Sequence, residues 1–137
     1  MAGKYINLGC SKTIYKTNSY RYNRADKKGV EMDKRAVIKI VERFRIILEK
    51  NNIKINKIIL YGSFANNTNN NDSDIDLIVI SDDFDSFNYW ERIDLLSNAI
   101  YKIFEPIEAF SFTTNEWKNS NSFLVDYAKN GEIIYAA

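Results

Sequence analysis

From Asp33 onward, apolar and polar positions alternate with two distinct periods. Val37, Ile40, Val41, Phe44, Ile47 and Leu48 recur at three- and four-residue spacing, which predicts an amphipathic helix over about 33–51. Asn51-Asn52 breaks it. Residues 55–61, INKIILY, read as a strand, and Gly62-Ser63 turns the chain. A polar loop at 66–73 leads into DIDLIVI, 74–80, a second strand whose β-branched run suits burial. SDDFDS carries helix-start chemistry. Trp90, Ile93, Leu96, Ile100 and Ile103 then place a second amphipathic helix at about 87–104, ended by Pro106. Residues 107–112, IEAFSF, form a third strand. Thr113 and Glu116 have the spacing of a capping box for a short helix. A last helix covers about 121–129, with Asn130-Gly131 as its stop, and EIIYA closes the chain. The order α-β-β-α-β-α predicts an α+β domain, a mixed sheet of at least three strands packed by helices. Trp90 and Trp117 are expected in its core rather than as stacking platforms for bases.

Residues 1–31 break with this pattern. They are rich in Tyr, Asn, Lys and Ser, and hold seven basic residues against two acidic. No period runs through them, so they read as a basic, flexible tail ahead of a domain at 32–137. Tyr5, Tyr15, Tyr20 and Tyr22 lie there beside Lys and Arg, in a pattern that suits stacking on nucleic acid as well as a tail without a fixed role. The codons of Lys28-Gly29-Val30 can spell a ribosome-binding sequence, which would make Met32 the natural start.

Composition bounds the rest. At 137 residues, 45% hydrophobic and 27% charged, the chain suits one ordinary globular domain. A single cysteine, Cys10, excludes an intramolecular disulfide. No leader or long apolar run is visible, so a cytoplasmic protein without a membrane partner is the expectation. The net charge of +1 hides an asymmetry: residues 1–57 hold 15 Lys/Arg and 5 Asp/Glu, residues 58–137 hold 4 and 13. The basic half offers a grip for RNA or an acidic partner. Solvated helix faces are the simpler account of it.

The candidate chemistry lies in residues 62–108. Strand side chains alternate, so Asp74 and Asp76 point one way while Ile75, Leu77 and Val79 point the other. Their Cα atoms should lie about 6.5–7 Å apart, which lets both carboxylates reach one divalent ion. A cation also offsets their mutual repulsion. All-oxygen ligands favour Mg²⁺, and the absence of His disfavours zinc. Gly62-Ser63, just after a strand, offers main-chain N–H groups and a hydroxyl to a phosphate. Asp72, Asp74 and Asp76 do not make an EF-hand loop, because Leu77 stands where that loop needs glycine. Asp82, Asp83 and Asp85 read as a solvated loop and helix cap.

Gly62-Ser63, the step of twelve residues from Gly62 to Asp74, and SDIDL at 73–77 resemble the DNA polymerase β-type nucleotidyltransferase superfamily. Within it the chain is most similar to the small stand-alone minimal nucleotidyltransferases, over about residues 33–118. The resemblance implies transfer of a nucleoside monophosphate, AMP from ATP or another nucleoside triphosphate, to a hydroxyl of a macromolecular acceptor, with two Mg²⁺. It assigns Asp74, Asp76 and a third carboxylate as catalytic and metal-binding residues. Glu108 fits the third position, where the family more often has Asp, and Glu105 is its rival. Gly62 and Ser63, with Asp74 and Asp76, would hold the nucleotide. The resemblance also implies a partner, an all-helical HEPN protein whose toxicity the nucleotidyltransferase counters; homo-oligomers are compatible with it. One departure stands out. The family often has Arg-Gly where this chain has Asn66-Asn67, and no Lys or Arg occurs between Lys57 and Arg92. That opens a second function, a fold retained for docking with catalysis weak or lost. A third, modification of RNA gripped by the basic half, is also open.

Overall fold

The computed structural model describes residues 32–137, and the tail expected over 1–31 lies outside the described residues. Helix α1 (Lys34–Lys50) starts where Asp33 Oδ1 accepts the Ala36 N–H at 2.9 Å. Strand β1 (Lys57–Tyr61) follows, then a single helical turn, α2 (Ser63–Asn66), and strand β2 (Ile75–Ile80). A 3₁₀ helix (Asp82–Ser86) leads into helix α3 (Tyr89–Ile103), capped by a reciprocal Asn88/Glu91 pair. Strand β3 (Ile107–Phe112) precedes two short helices, α4 (Thr114–Asn119) and α5 (Phe123–Ala128). The expected Thr113/Glu116 capping box opens α4. The closing EIIYA is a fourth strand, β4 (Glu132–Ala136).

The sheet runs β3-β2-β1-β4. β1 pairs antiparallel with both β2 and β4, whereas β2 and β3 are parallel and are joined through α3. The α+β class and mixed sheet are therefore as predicted, with one strand more than the three recognised. β4 is an edge strand in which Glu132, Ile133 and Ala136 are exposed and the adjacent Ile134 and Tyr135 half-buried, so it shows no clean alternation.

Two apolar layers flank the sheet. The larger gathers Val37, Val41, Phe44 and Leu48 of α1 and Leu96, Ala99, Ile100 and Ile103 of α3 over Ile58, Leu60, Leu77 and Val79. The smaller sets Ala128, Trp117 and Leu124 against Ile59, Tyr61, Ile78 and Ile80. Trp117 is thus partly buried as expected, but Trp90 is 65% exposed. The buried stripe of α3 runs through residues 96, 99, 100 and 103, and Trp90 falls about 120° away from it on a 3.6-residue helix. The buried stripe therefore does not include Trp90, which stands in the first turn of α3, ahead of the first buried position, Leu96.

Arg92 of α3 holds Glu116 of α4 through both carboxylate oxygens, each at 2.8 Å. Burial raises the Glu116 carboxyl, but the Arg92 and Thr113 hydrogen bonds outweigh it and leave the group below its usual range. Asp82 and Asp83 accept from the Thr114 and Lys54 N–H groups at 3.0 and 2.7 Å, tying the loop to its neighbours, while Ser81 and Asn88 rather than these Asp residues cap the 3₁₀ helix and α3.

Gly131 sets how α5 and β4 lie against β1. A Cβ there would fall 2.5 Å from the Leu60 carbonyl oxygen and 2.8 Å from Ile59 Cγ2. Backbone cannot yield as a flexible side chain can. Gly131→Ala is therefore expected to destabilise the domain by about 1–3 kcal/mol, read as a lower midpoint in urea unfolding.

Candidate active site

β2 carries the strongest chemical contrast in the chain. Ile75, Leu77 and Val79 point into the larger core and are fully buried. Asp76 points to the opposite face, the one shared by Ile78 and Ile80, and is half-buried. The cross-strand register puts Tyr61 of β1 and Glu108 of β3 on either side of it. Tyr61, Asp76 and Glu108 thus form one row across three strands, with neighbouring Cα atoms about 5 Å apart. The small helices cover the far part of this face, over Ile78, Ile80 and Phe112. The end bearing the carboxylates keeps Glu108 half-buried and Phe110 exposed.

Asp74 stands one residue before β2 and is half-buried. Among the described residues, no group of three or more His, Cys, Asp or Glu is gathered closely enough to hold a metal ion. Asp76 and Glu108 are side by side in register, and Asp74 precedes Asp76 by two residues on the same chain segment. Three carboxylates brought to one point repel one another, a cost that a cation offsets. Glu105, the rival third carboxylate, lies outside β3, between the left-handed Phe104 and Pro106. The register that pairs Glu108 with Asp76 does not reach it.

The turn at Gly62 lies against the same carboxylate. Gly62 is buried, with φ +77° and ψ −151°, a conformation that L side chains rarely adopt. A Cβ on Gly62 would overlap Asp76 Oδ2 and stand 3.2 Å from Asp76 Cγ. The main chain of the Gly-Ser turn and the Asp76 carboxylate are therefore in contact. The turn itself is tied down: the Asn66 N–H donates to the Gly62 carbonyl at 3.1 Å and the Thr68 N–H to the Ser63 carbonyl at 2.9 Å. Asn67 caps it in the left-handed region, φ 58°. This is the position where Gly is usual in the similar family, and Asn is the residue that next best tolerates this conformation. Asn66 and Asn67 are both exposed.

Tyr61 was read in the sequence only as the end of a strand. It is buried, and burial followed by the Asp76, Glu108 and Tyr127 groups holds its phenol above the usual range. It thus stays protonated beside the carboxylates. Only the register of β1 on β2 shows this, and no local signal in the sequence encodes it.

The chain can now be set beside known proteins. Residues 42–137 match the family model described as polymerase beta, nucleotidyltransferase. The chain belongs to the polymerase beta nucleotidyltransferase family. No curated protein gives a significant match. Among solved structures, the nucleotidyltransferase domain is similar to a toxin–antitoxin determined with AMP-PNP, at 20% identity and a TM-score of 0.51, over 70% of this chain and 73% of that one. It is also similar to a protein from Sulfolobus solfataricus assigned as a nucleotidyltransferase, at 14% identity and a TM-score of 0.51, over 96% and 93% of the two chains. At these identities the likeness establishes the nucleotidyltransferase fold. Among the described residues, no helix is long and apolar enough to cross a membrane.

Proposed function

We propose that this nucleotidyltransferase domain transfers a nucleoside monophosphate, AMP from ATP, to a hydroxyl of a protein acceptor, and that the acceptor is an all-helical toxin of the HEPN type with which it pairs as antitoxin. The contact between the Gly62 main chain and the Asp76 carboxylate, with Glu108 in register beside it, carries the reading. A glycine turn whose main-chain N–H groups could take a phosphate, lying against paired acidic groups, is what this transfer would need. The similar toxin–antitoxin determined with AMP-PNP supports a nucleotide and a toxin as partner, and the HEPN type rests on the family resemblance.

Main-chain N–H groups at Gly62 and Ser63, with the Ser63 hydroxyl, would hold phosphate oxygens. Asp76, Glu108 and Asp74 would hold Mg²⁺, whose donor preference their oxygens match. When bound, Mg²⁺ neutralises charge on the phosphates and makes the acceptor hydroxyl more acidic. In this reading the acceptor oxygen attacks the α-phosphorus, the bond to pyrophosphate breaks, and Glu108 would help take the hydroxyl proton. Catalysis is then mainly positioning and charge neutralisation.

The exposed Asn66-Asn67 turn favours a second reading, in which the fold neutralises its partner by docking alone. Incubation of the purified chain and the product of its neighbouring gene with α-labelled ATP and Mg²⁺ separates the two. The transferase reading expects label on a protein hydroxyl, lost on chelation. Absence of label, together with a stable complex of the two proteins, would establish docking.

A further inference from the structure

Helix α5 carries two large aromatic rings that the fold does not bury. Its inner side is fixed: Val125 and Ala128 are buried, and Ala128 packs with Ile59 and Tyr61. On its outer side Phe123 is 85% exposed and Tyr127 56% exposed. Their rings lie nearly parallel, 11° apart, with centroids separated by 6.3 Å. Tyr127 meets Tyr61 edge to face, at 5.7 Å and 88°. Tyr61 in turn neighbours Asp76 in the row that continues to Glu108. An unbroken aromatic path thus leads from the carboxylates outward to an open ring face.

We infer that Phe123 and Tyr127 form the shelf on which the base of the nucleotide stacks, while the phosphates lie at the Gly62 turn. The inference rests on the nucleotidyltransferase reading above. Its physical ground is the placement of an exposed pair of parallel rings that reaches the carboxylate row through one tyrosine ring, Tyr61. Stabilisation of a six-residue helix by an i,i+4 aromatic pair is worth only about 0.2–0.5 kcal/mol and does not call for this location. Another exposed aromatic pair among the described residues, Tyr89 and Trp90, differs on both counts. Its rings cross at 74°, and it sits at the start of α3, whose core face packs on the opposite side of the sheet. Stacking reads the π-face that every base has, so the shelf should accept adenine and guanine alike.

Calorimetric titration of the full chain with Mg²⁺-ATP, Mg²⁺-GTP and Mg²⁺-tripolyphosphate tests this. Replacing both rings, Phe123→Ala with Tyr127→Ala, should weaken both nucleotides about tenfold or more and leave tripolyphosphate unchanged. Tyr127→Phe, which keeps the ring, should bind as wild type does, and so should Trp90→Ala. Both shelf rings face outward, so circular dichroism should show an intact fold. Unchanged nucleotide affinity in the double variant would overturn the shelf, as would an equal loss for tripolyphosphate or a wild type that binds tripolyphosphate as tightly as ATP. A wild type that binds none of the three would instead remove the nucleotide reading itself, and the shelf with it.

Discussion

Asp76→Asn is expected to abolish transfer of labelled AMP and to weaken Mg²⁺-ATP binding by two to three orders of magnitude, while the domain melts at or above the wild-type temperature. Asn keeps the shape and one carbonyl acceptor but removes the charge. A ligand charge facing a divalent ion and the phosphates is worth several kcal/mol, roughly a factor of ten for each 1.4 kcal/mol. Folding responds with the opposite sign. Asp76 and Glu108 are neighbours in register on one half-buried face, so the folded protein holds like charges together. Neutralising one relieves that repulsion. Loss of function with retained or increased stability is what a site residue produces and a merely structural residue does not. A variant that transfers label normally, or one that simply unfolds, would remove Asp76 from the proposed chemistry.

Gly62→Ala is expected to damage stability and binding together. The residue sits at φ +77° and ψ −151°, where an L side chain adds strain of about 1–3 kcal/mol. For a domain of this size each kcal/mol lowers Tm by about 4–8 °C. The added methyl also overlaps Asp76 Oδ2, so the carboxylate must rotate out of its place against the turn. Mg²⁺-ATP affinity should fall to the level of the Asp76→Asn variant. Combining Gly62→Ala with Asp76→Ala should recover part of the lost stability, because the second change removes the atoms in collision while the backbone strain remains. Simple additivity of the two losses in urea unfolding would show that the close approach has no energetic role.

The helices and central strands follow from local patterns because their burial is one-sided and periodic. Val37, Val41, Phe44 and Leu48 face one core, and so do Leu96, Ala99, Ile100 and Ile103. The alternation in β2 separates Asp76 from the buried Ile75, Leu77 and Val79, as strand geometry requires. Where periodicity fades, reading fails. Trp90 lies in the first turn of α3, off the side that carries the buried Leu96, Ala99, Ile100 and Ile103, and β4 is an edge strand whose residues are only partly covered.

The sequence by itself determined the α+β class, the Gly62-Ser63 turn after a strand, and an acidic pair separated by one apolar residue. Each depends on neighbours within a few positions, and turn chemistry and side-chain alternation act at that range. Only the tertiary structure decided that Tyr61 and Glu108 flank Asp76, that the Gly62 main chain rests on its carboxylate, and that two open rings of α5 stand beside them. Those placements depend on strand register between segments tens of residues apart. Register is set by how whole apolar faces interlock, and a shift of one residue would turn every side chain to the other face.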